Sequence, residues 1–278
     1  MAENTPEKAP MDFPENSQTE EKNISRRTAL KHIGLGAVGT LGAVYGLDKL
    51  TSNNADTEID SQSAAISVSD NTPMKVLLIN GSPRSNGNTF ICLSEIAEIL
   101  HTEGVQTHII QIGAKAIQGC TACYYCGQSA ECVFTDSTYL EIRQHLSESD
   151  GIIIGSPVYF SGPTGSLCAL LDRVFFTSGS LVHNKAAAAI TVCRRSGGTA
   201  TLDRLNKYFA HGRMQIIGSQ YWNVAHGADP GEVREDNEGL QIMRTLARNM
   251  AWNIRNTRLA QQAEPIKEEP RERTNFIR

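Results

Sequence analysis

Short apolar runs alternate with stretches of helical periodicity from Lys75 to Arg258, and that alternation leaves few folds open. KVLLIN (75–80), GIIIGS (151–156) and AAAAITVC (186–193) are apolar almost throughout and too short for helices, the pattern of strands covered on both faces. Further strands are predicted at 105–112 and 214–222. Helical patterns fall at 89–101, 139–147, 165–176, 199–211 and 237–258, the last with Leu240, Met243, Ala247, Met250 and Ile254 at helical spacing. Strand and helix in turn imply βαβ units, and these imply parallel strands with helices on both faces. The prediction is an α/β fold: one three-layer domain with five parallel strands, over 73–260.

The segments before and after that domain have a different character. Residues 1–22 are polar, with Pro6, Pro10 and Pro14 and no periodicity, and are expected to be disordered. Arg26 and Arg27 then precede an uncharged stretch, Ile33 to Leu47, weakened by five glycines and too short to span a bilayer comfortably. The order resembles a twin-arginine export signal, with Ala29 where that pattern usually has Phe. It implies a protein that folds in the cytoplasm and is exported, to work in the periplasm or anchored facing it; a cytoplasmic protein with an amphipathic first helix is the alternative. Residues 51–72 read as a linker and 261–278 as a charged, solvated tail. A net charge of −4 lacks the basic excess of a nucleic-acid binder, and no run approaches the roughly 20 apolar residues of a membrane span.

Ligands of open α/β sheets bind beyond the carboxyl ends of the strands, so the loops there carry the functional signal. NGSPRSNGNT (80–89) joins a strand to a helix and combines turn-forming glycines with Ser82, Arg84, Ser85, Asn88 and Thr89. Hydroxyl, amide and cationic donors at a helix N-terminus make a phosphate cradle. It follows neither the dinucleotide nor the nucleoside-triphosphate glycine pattern. GSPVYFSGPTG (155–165) offers Tyr159 and Phe160 beside small and cyclic residues that would let a flat ring approach. CRRSGG (193–198) ends in glycines whose backbone amides can face the same ring.

Taken in order, GSPRSNGNT, GSPVYFSGPTGSLCALLDR and PGEVREDNEG (230–239) resemble the NADPH-dependent FMN reductase branch of the flavodoxin-like superfamily. The resemblance covers about 75–258. It implies a flavodoxin-like sandwich with strand order 2-1-3-4-5 and one bound FMN. Its phosphate would be held by Ser82, Arg84, Ser85, Asn88 and Thr89. Pro157, Val158, Tyr159 and Phe160 would line the isoalloxazine, with Ser196 and Gly197 near its pyrimidine side. It also implies a homo-oligomer, dimer or tetramer.

Four of the seven cysteines fall between 120 and 132 in the spacing C-x2-C-x2-C-x5-C. Cys120, Cys123 and Cys126, three apart along a turn, can converge on one soft centre, and Cys132 can close it. Structural zinc draws its ligands from two separated knuckles more often than from such a run. The last spacer and the following Val133 differ from the bacterial ferredoxin run. The spacing resembles the compact motif of the iron–sulfur flavoproteins, which implies a [4Fe–4S] cluster; two local disulfides, zinc or free thiols remain the alternatives. Cys92, Cys168 and Cys193 are scattered in predicted helix or strand and read as small apolar residues. The seven histidines show no ligand spacing in the sequence.

These readings converge on an FMN-dependent oxidoreductase that exchanges electrons between a two-electron and a one-electron partner. The partner would be a redox protein or quinone, and NAD(P)H is a further candidate. Catalytic side chains are not expected, because the cofactor carries the chemistry. One alternative is a cluster-free NAD(P)H:acceptor oxidoreductase acting on quinones, azo or nitro compounds, its cysteine loop a stapled lid. The other is a zinc-stapled interaction module without enzymatic activity.

Overall fold

A computed structural model describes residues 72–264 and positions 266, 267, 269, 270, 272 and 274 of the tail. The export-like segment and nearly all of the expected linker lie outside the described residues.

The central sheet has five strands in its main path: β1 (Met74–Asn80), β2 (Val105–Gln111), β3 (Gly151–Pro157), β4 (Ala186–Cys193) and β5 (Gln215–Ile216). Their order is β2-β1-β3-β4-β5, all pairs parallel, with β6 (Val224–His226) also pairing on β4. This order is that of a flavodoxin-like fold, and its direction reverses between β1 and β3. The helices are α1 (Asn88–Thr102), the single turn α2 (Cys126–Ser129), α3 (Ser137–Glu148), α4 (Gly165–Ser178), α5 (Gly198–His211) and α6 (Asn237–Ala263).

Alternation along each strand builds the three layers. Val76, Leu78, Ile153, Ala188 and Ile190 point to one face, where they pack with Leu93, Ile96 and Leu100 of α1 and Met243, Leu246 and Met250 of α6. Leu77, Ile79, Ile152, Ile154 and Ala189 point to the other, against Ile142 of α3, Leu170 and Val174 of α4 and Leu205 and Phe209 of α5. Each Leu or Ile removed from water contributes about 1.5–3 kcal/mol, so these two cores hold the helices to the sheet. Residues 165–182 are apolar enough on average to resemble a membrane span, but Leu167, Leu170, Leu171 and Val174 are wholly buried in the second core.

The fifth strand departs from expectation. Instead of one strand over 214–222, β5 is two residues long and β6 follows after a loop that leaves Tyr221 and Trp222 exposed. The aromatic residues of that run belong to a surface loop, while Met214 and Ile217 stay in the two cores. The asparagine after it is buried, and its side chain donates to the carbonyls of Ala189 (3.1 Å) and Ile217 (3.4 Å), turning the chain back to β4. The last helix also runs five residues beyond the expected end at 258. There the Arg258 guanidinium grips the Asp150 carboxylate with two contacts of 2.8 Å, tying α6 to the start of β3.

Candidate functional site: a phosphate-type cleft and a cysteine depression

The loop after β1 is fixed from three sides. Asn80 and Gln111, opposite each other in the β1–β2 register, hydrogen-bond through their side chains. Asn80 Oδ1 accepts from the Ser82 amide (3.1 Å), and Gln111 Nε2 donates to the Ser82 carbonyl (2.6 Å). The Gly81 amide donates to the Gly155 carbonyl (2.7 Å), and Thr164, the N-cap of α4, donates its hydroxyl to the Gly81 carbonyl (2.8 Å). A Cβ at Gly81 would stand 2.5 Å from Leu167 Cδ2 and 2.8 Å from the Gly155 carbonyl oxygen, so only glycine fits.

The loop delivers α1 with Gly87 at its N-cap, no side chain capping the first turn and no acidic residue in it. Uncapped amides at a helix start favour an anion. They open into a cleft of about 310 Å³ beyond the carboxyl ends of β1, β3, β4 and β6. Of the expected flavin residues, Ser82, Arg84, Asn88, Thr89, Pro157, Val158 and Tyr159 line it; Ser85, Phe160, Ser196 and Gly197 do not. Asn88 is a strut as well, donating to the Asp229 carbonyl and accepting from the Gly231 amide, both at 2.8 Å. Thr89 is buried, with its methyl group against Gly155.

Phe160 and Ser161, outside the cleft wall, form the lip of the site. Tyr159 and Gly162 exchange backbone hydrogen bonds of 2.8 and 2.9 Å, and the two residues between them both have positive φ, 50° and 59°. Two successive non-glycine residues in the left-handed region store strain of order 1–3 kcal/mol each. The turn holds Phe160 fully in solvent. Gly197 (φ 85°) lies under it: a Cβ there would meet Ser161 Oγ at 2.9 Å.

Sequence reasoning missed Val192, Cys193, Arg194, Gly227 and Ala228, which also line the cleft. Arg194 adds a second cation to Arg84. Gly227 and Ala228 follow β6, a strand hidden by the misplaced run at 214–222. The amides of Asp229 (2.8 Å) and Ala228 (2.5 Å) donate to Glu232 and hold its carboxyl below the ordinary range, with Arg194 adding to the effect. Burial pushes the Cys193 thiol up, so the cysteine in the wall stays protonated.

The second site is the loop between β2 and α3, leaving the strand next to β1. Cys120, Cys123, Cys126 and Cys132 line one depression together with Phe134, Arg173, Phe176 and Thr177. All seven cysteines are free thiols. Ala122, Tyr124 and Ala130 hold positive φ near 55°, which bends a glycine-poor segment tightly enough to gather four thiols. Two arginines clamp the loop: Arg143 ties the Ala130 carbonyl (2.9 Å) to that of Thr177 in α4 (2.8 Å), and Arg173 donates to the carbonyls of Gln118 (3.0 Å) and Phe134. The Cys132 amide donates to the Tyr139 hydroxyl (3.0 Å), which also meets Thr177 Oγ1 (2.9 Å).

Arg173 is 1% exposed and is the one charged residue in the wall of the depression. Its Nε has no acceptor among the described residues. Burial works against its charge, but Asp136 and Cys132 outweigh that and keep the guanidinium firmly protonated. Outside the loop, burial pushes the buried Cys92 thiol up to about 12 and raises that of the half-buried Cys168.

Comparison with known proteins agrees with this geometry. Residues 74–229 match the family described as NADPH-dependent FMN reductase. The chain is 33% identical over 186 residues to an iron-sulfur flavoprotein of Methanocaldococcus jannaschii, covering 64% of this chain and 96% of the relative. It is 28% identical over 181 residues to an iron-sulfur flavoprotein of Methanosarcina thermophila, covering 64% and 93%. Among solved structures it is similar to RosB, crystallised with 8-demethyl-8-formylriboflavin-5'-phosphate, with a TM-score of 0.55, 16% identity, and 73% and 92% of the two chains covered. With its parallel sheet, its cleft at the strand reversal and this match over more than half its length, the chain belongs to the NADPH-dependent FMN reductase family and is a flavin oxidoreductase.

Proposed function

We propose that the protein binds FMN in the cleft and a [4Fe–4S] cluster on Cys120, Cys123, Cys126 and Cys132, and passes electrons between a two-electron and a one-electron partner. One observation carries the cluster: four thiols share a single depression with a buried cation whose Nε lacks an acceptor. A donor set of thiolates alone suits iron–sulfur chemistry, and negatively charged sulfur beside Arg173 would satisfy the orphaned N–H. The relatives named iron-sulfur flavoproteins support the same reading.

The residues lining the cleft support a flavin site there. The α1 N-terminus, Ser82 and Arg84 would hold the phosphate, while Pro157, Val158 and Tyr159 would flank the ring. Ser85, Ser196, Gly197 and Phe160 would act from the rim. When bound, FMN exchanges electrons in pairs or singly and a cluster one at a time, so a chain holding both would connect the two regimes. What the chain contributes is binding and orientation: Asn80, Gln111 and Thr164 fix the phosphate loop, and Arg143 and Arg173 fix the cysteine loop.

The electron partner we propose is a redox protein or a quinone, with NAD(P)H a slower donor, because Arg26 and Arg27 would carry the folded protein out of the nicotinamide pool. Replacement of both by lysine should leave the loaded protein in the cytosol; wild-type protein fractionating with the cytosol would remove that part.

The cluster is tested by metal and flavin analysis of anaerobically prepared protein. Four iron per chain with FMN present is expected, and Cys123→Ser should lose the iron while keeping the flavin. Flavin without iron, even after anaerobic reconstitution, returns the chain to the cluster-free reductases. Zinc without flavin would make it a stapled scaffold.

A further inference from the structure

Two histidines and a glutamate that look unrelated in the sequence meet where β2 packs on α3. His108 lies in β2, the edge strand of the sheet, and is exposed. Glu141 and His145, four apart on α3, project from one side of that helix. The rings of His108 and His145 stack with centroids 3.8 Å apart and 16° between planes. His108 Nε2 stands 3.3 Å from Glu141 Oε1, and the three donor atoms all lie within 4.8 Å of one another. His108 and His145 border a hollow beside Lys75 and Val76, at the amino-terminal half of β1. The flavin cleft opens at the opposite, carboxyl end of that strand.

We propose that His108, Glu141 and His145 bind a divalent transition ion of the zinc class, pinning the edge strand to α3. Two imidazoles and one carboxylate are borderline donors suited to zinc, nickel or copper, whereas magnesium and calcium take oxygen sets. Donors on a tetrahedral ion with 2.0–2.1 Å bonds stand roughly 3.4 Å apart, so the two rings must leave their stack and turn their nitrogens toward one point, a motion open to side chains at the surface. Three protein ligands leave a position for water. Glu148, on the same hollow, is paired with Lys75 at 3.4 Å and is not counted among the ligands. The site uses none of the flavin or cysteine residues and stands whether or not the cluster is present.

The test is equilibrium dialysis of the full-length, cofactor-loaded protein against Zn2+, with total iron measured in parallel. One equivalent of zinc is expected beyond the metal already present, and excess Mg2+ should not displace it. His108→Ala and His145→Ala should each weaken that binding at least tenfold, and Glu141→Gln less. Changing Cys120, Cys123, Cys126 and Cys132 together to Ser, so that no thiol of the loop is left to take zinc, should leave it unchanged, which separates this site from the cysteine loop. The positions changed are at the surface or in a loop, and an unchanged far-UV spectrum checks that each variant folds. No extra equivalent, or zinc binding that survives in both histidine variants, overturns the proposal.

Discussion

The Arg173 guanidinium and the Asp136 carboxylate meet at 2.6 Å, and through that pair α4 reaches the start of α3. Asp136 is also the N-cap of α3, accepting from the Tyr139 amide at 3.1 Å. One ion pair therefore ends the cysteine loop, begins a helix and supplies the buried cation of the depression. Arg173→Met is expected to lower stability by about 2–4 kcal/mol, because the carbonyls of Gln118 and Phe134 lose their donor along with the ion pair. Arg173→Lys should recover less than half, since a single ammonium lacks the planar fork. Urea unfolding followed by far-UV circular dichroism measures both.

The same pair sets an acid limit. Burial alone would raise the Asp136 carboxyl, but the Arg173 hydrogen bond and the Tyr139 amide outweigh it and hold the group below its ordinary 3.8. A depressed carboxyl contributes its full stability above the unfolded value and loses it as pH falls through the folded one. Wild-type protein should thus lose stability below about pH 4, and Asp136→Asn should be weaker at neutral pH with a flatter profile through that window. Thermal melts from pH 3 to pH 7 compare the slopes. Equal slopes would show that the pair is screened out by solvent.

Gly81 is the tightest point of the phosphate loop. Gly81→Ala drives a methyl group against Leu167 and the backbone of Gly155, and overpacking of that kind costs about 1–3 kcal/mol. Because the displaced backbone carries Ser82 and the α1 N-terminus, flavin occupancy should fall further than the melting temperature. Flavin released per chain on acid precipitation measures the first, and calorimetry the second.

Arg84 tests the anion site itself. It is exposed, and among the described residues its side chain makes no hydrogen bond or ion pair, so Arg84→Ala should leave the melting temperature of flavin-free protein unchanged. FMN affinity should fall about tenfold, the equivalent of one charge-assisted phosphate contact of about 1.4 kcal/mol. Thr89 is a poor companion mutation: it is 2% exposed and packs on Gly155, so its loss would mix folding with binding. Fluorescence titration with FMN gives the affinity ratio.

The sheet was legible because buried parallel strands are written as apolar runs, as in 75–80 and 186–193, and because amphipathic helices repeat their contacts. The phosphate loop was legible from Ser82 and Arg84 at a strand-to-helix junction. What could not be read is set by long-range geometry. The run at 214–222 has a strand's composition, yet it pairs with β4 over two residues only, and Asn223 ties the chain back to the sheet just before β6. Gly227 and Ala228 reach the cleft only through the pairing of β6 on β4. Arg173 looks like an exposed cation of α4 until Asp136, 37 residues away, gives it a partner. His108 and His145 share no local pattern because a strand and a helix bring them together.

The chain has two tryptophans, Trp222 in the loop before β6 and Trp252 on α6, and they are 61% and 65% exposed. Neither indole reports on the hydrophobic interior, so intrinsic emission is already close to that of water-exposed tryptophan and should shift little when the domain melts. The same optical signal becomes a sensitive one for events at the surface: a partner or a second copy settling over Trp222 would move the emission to shorter wavelength with no change in the fold beneath it.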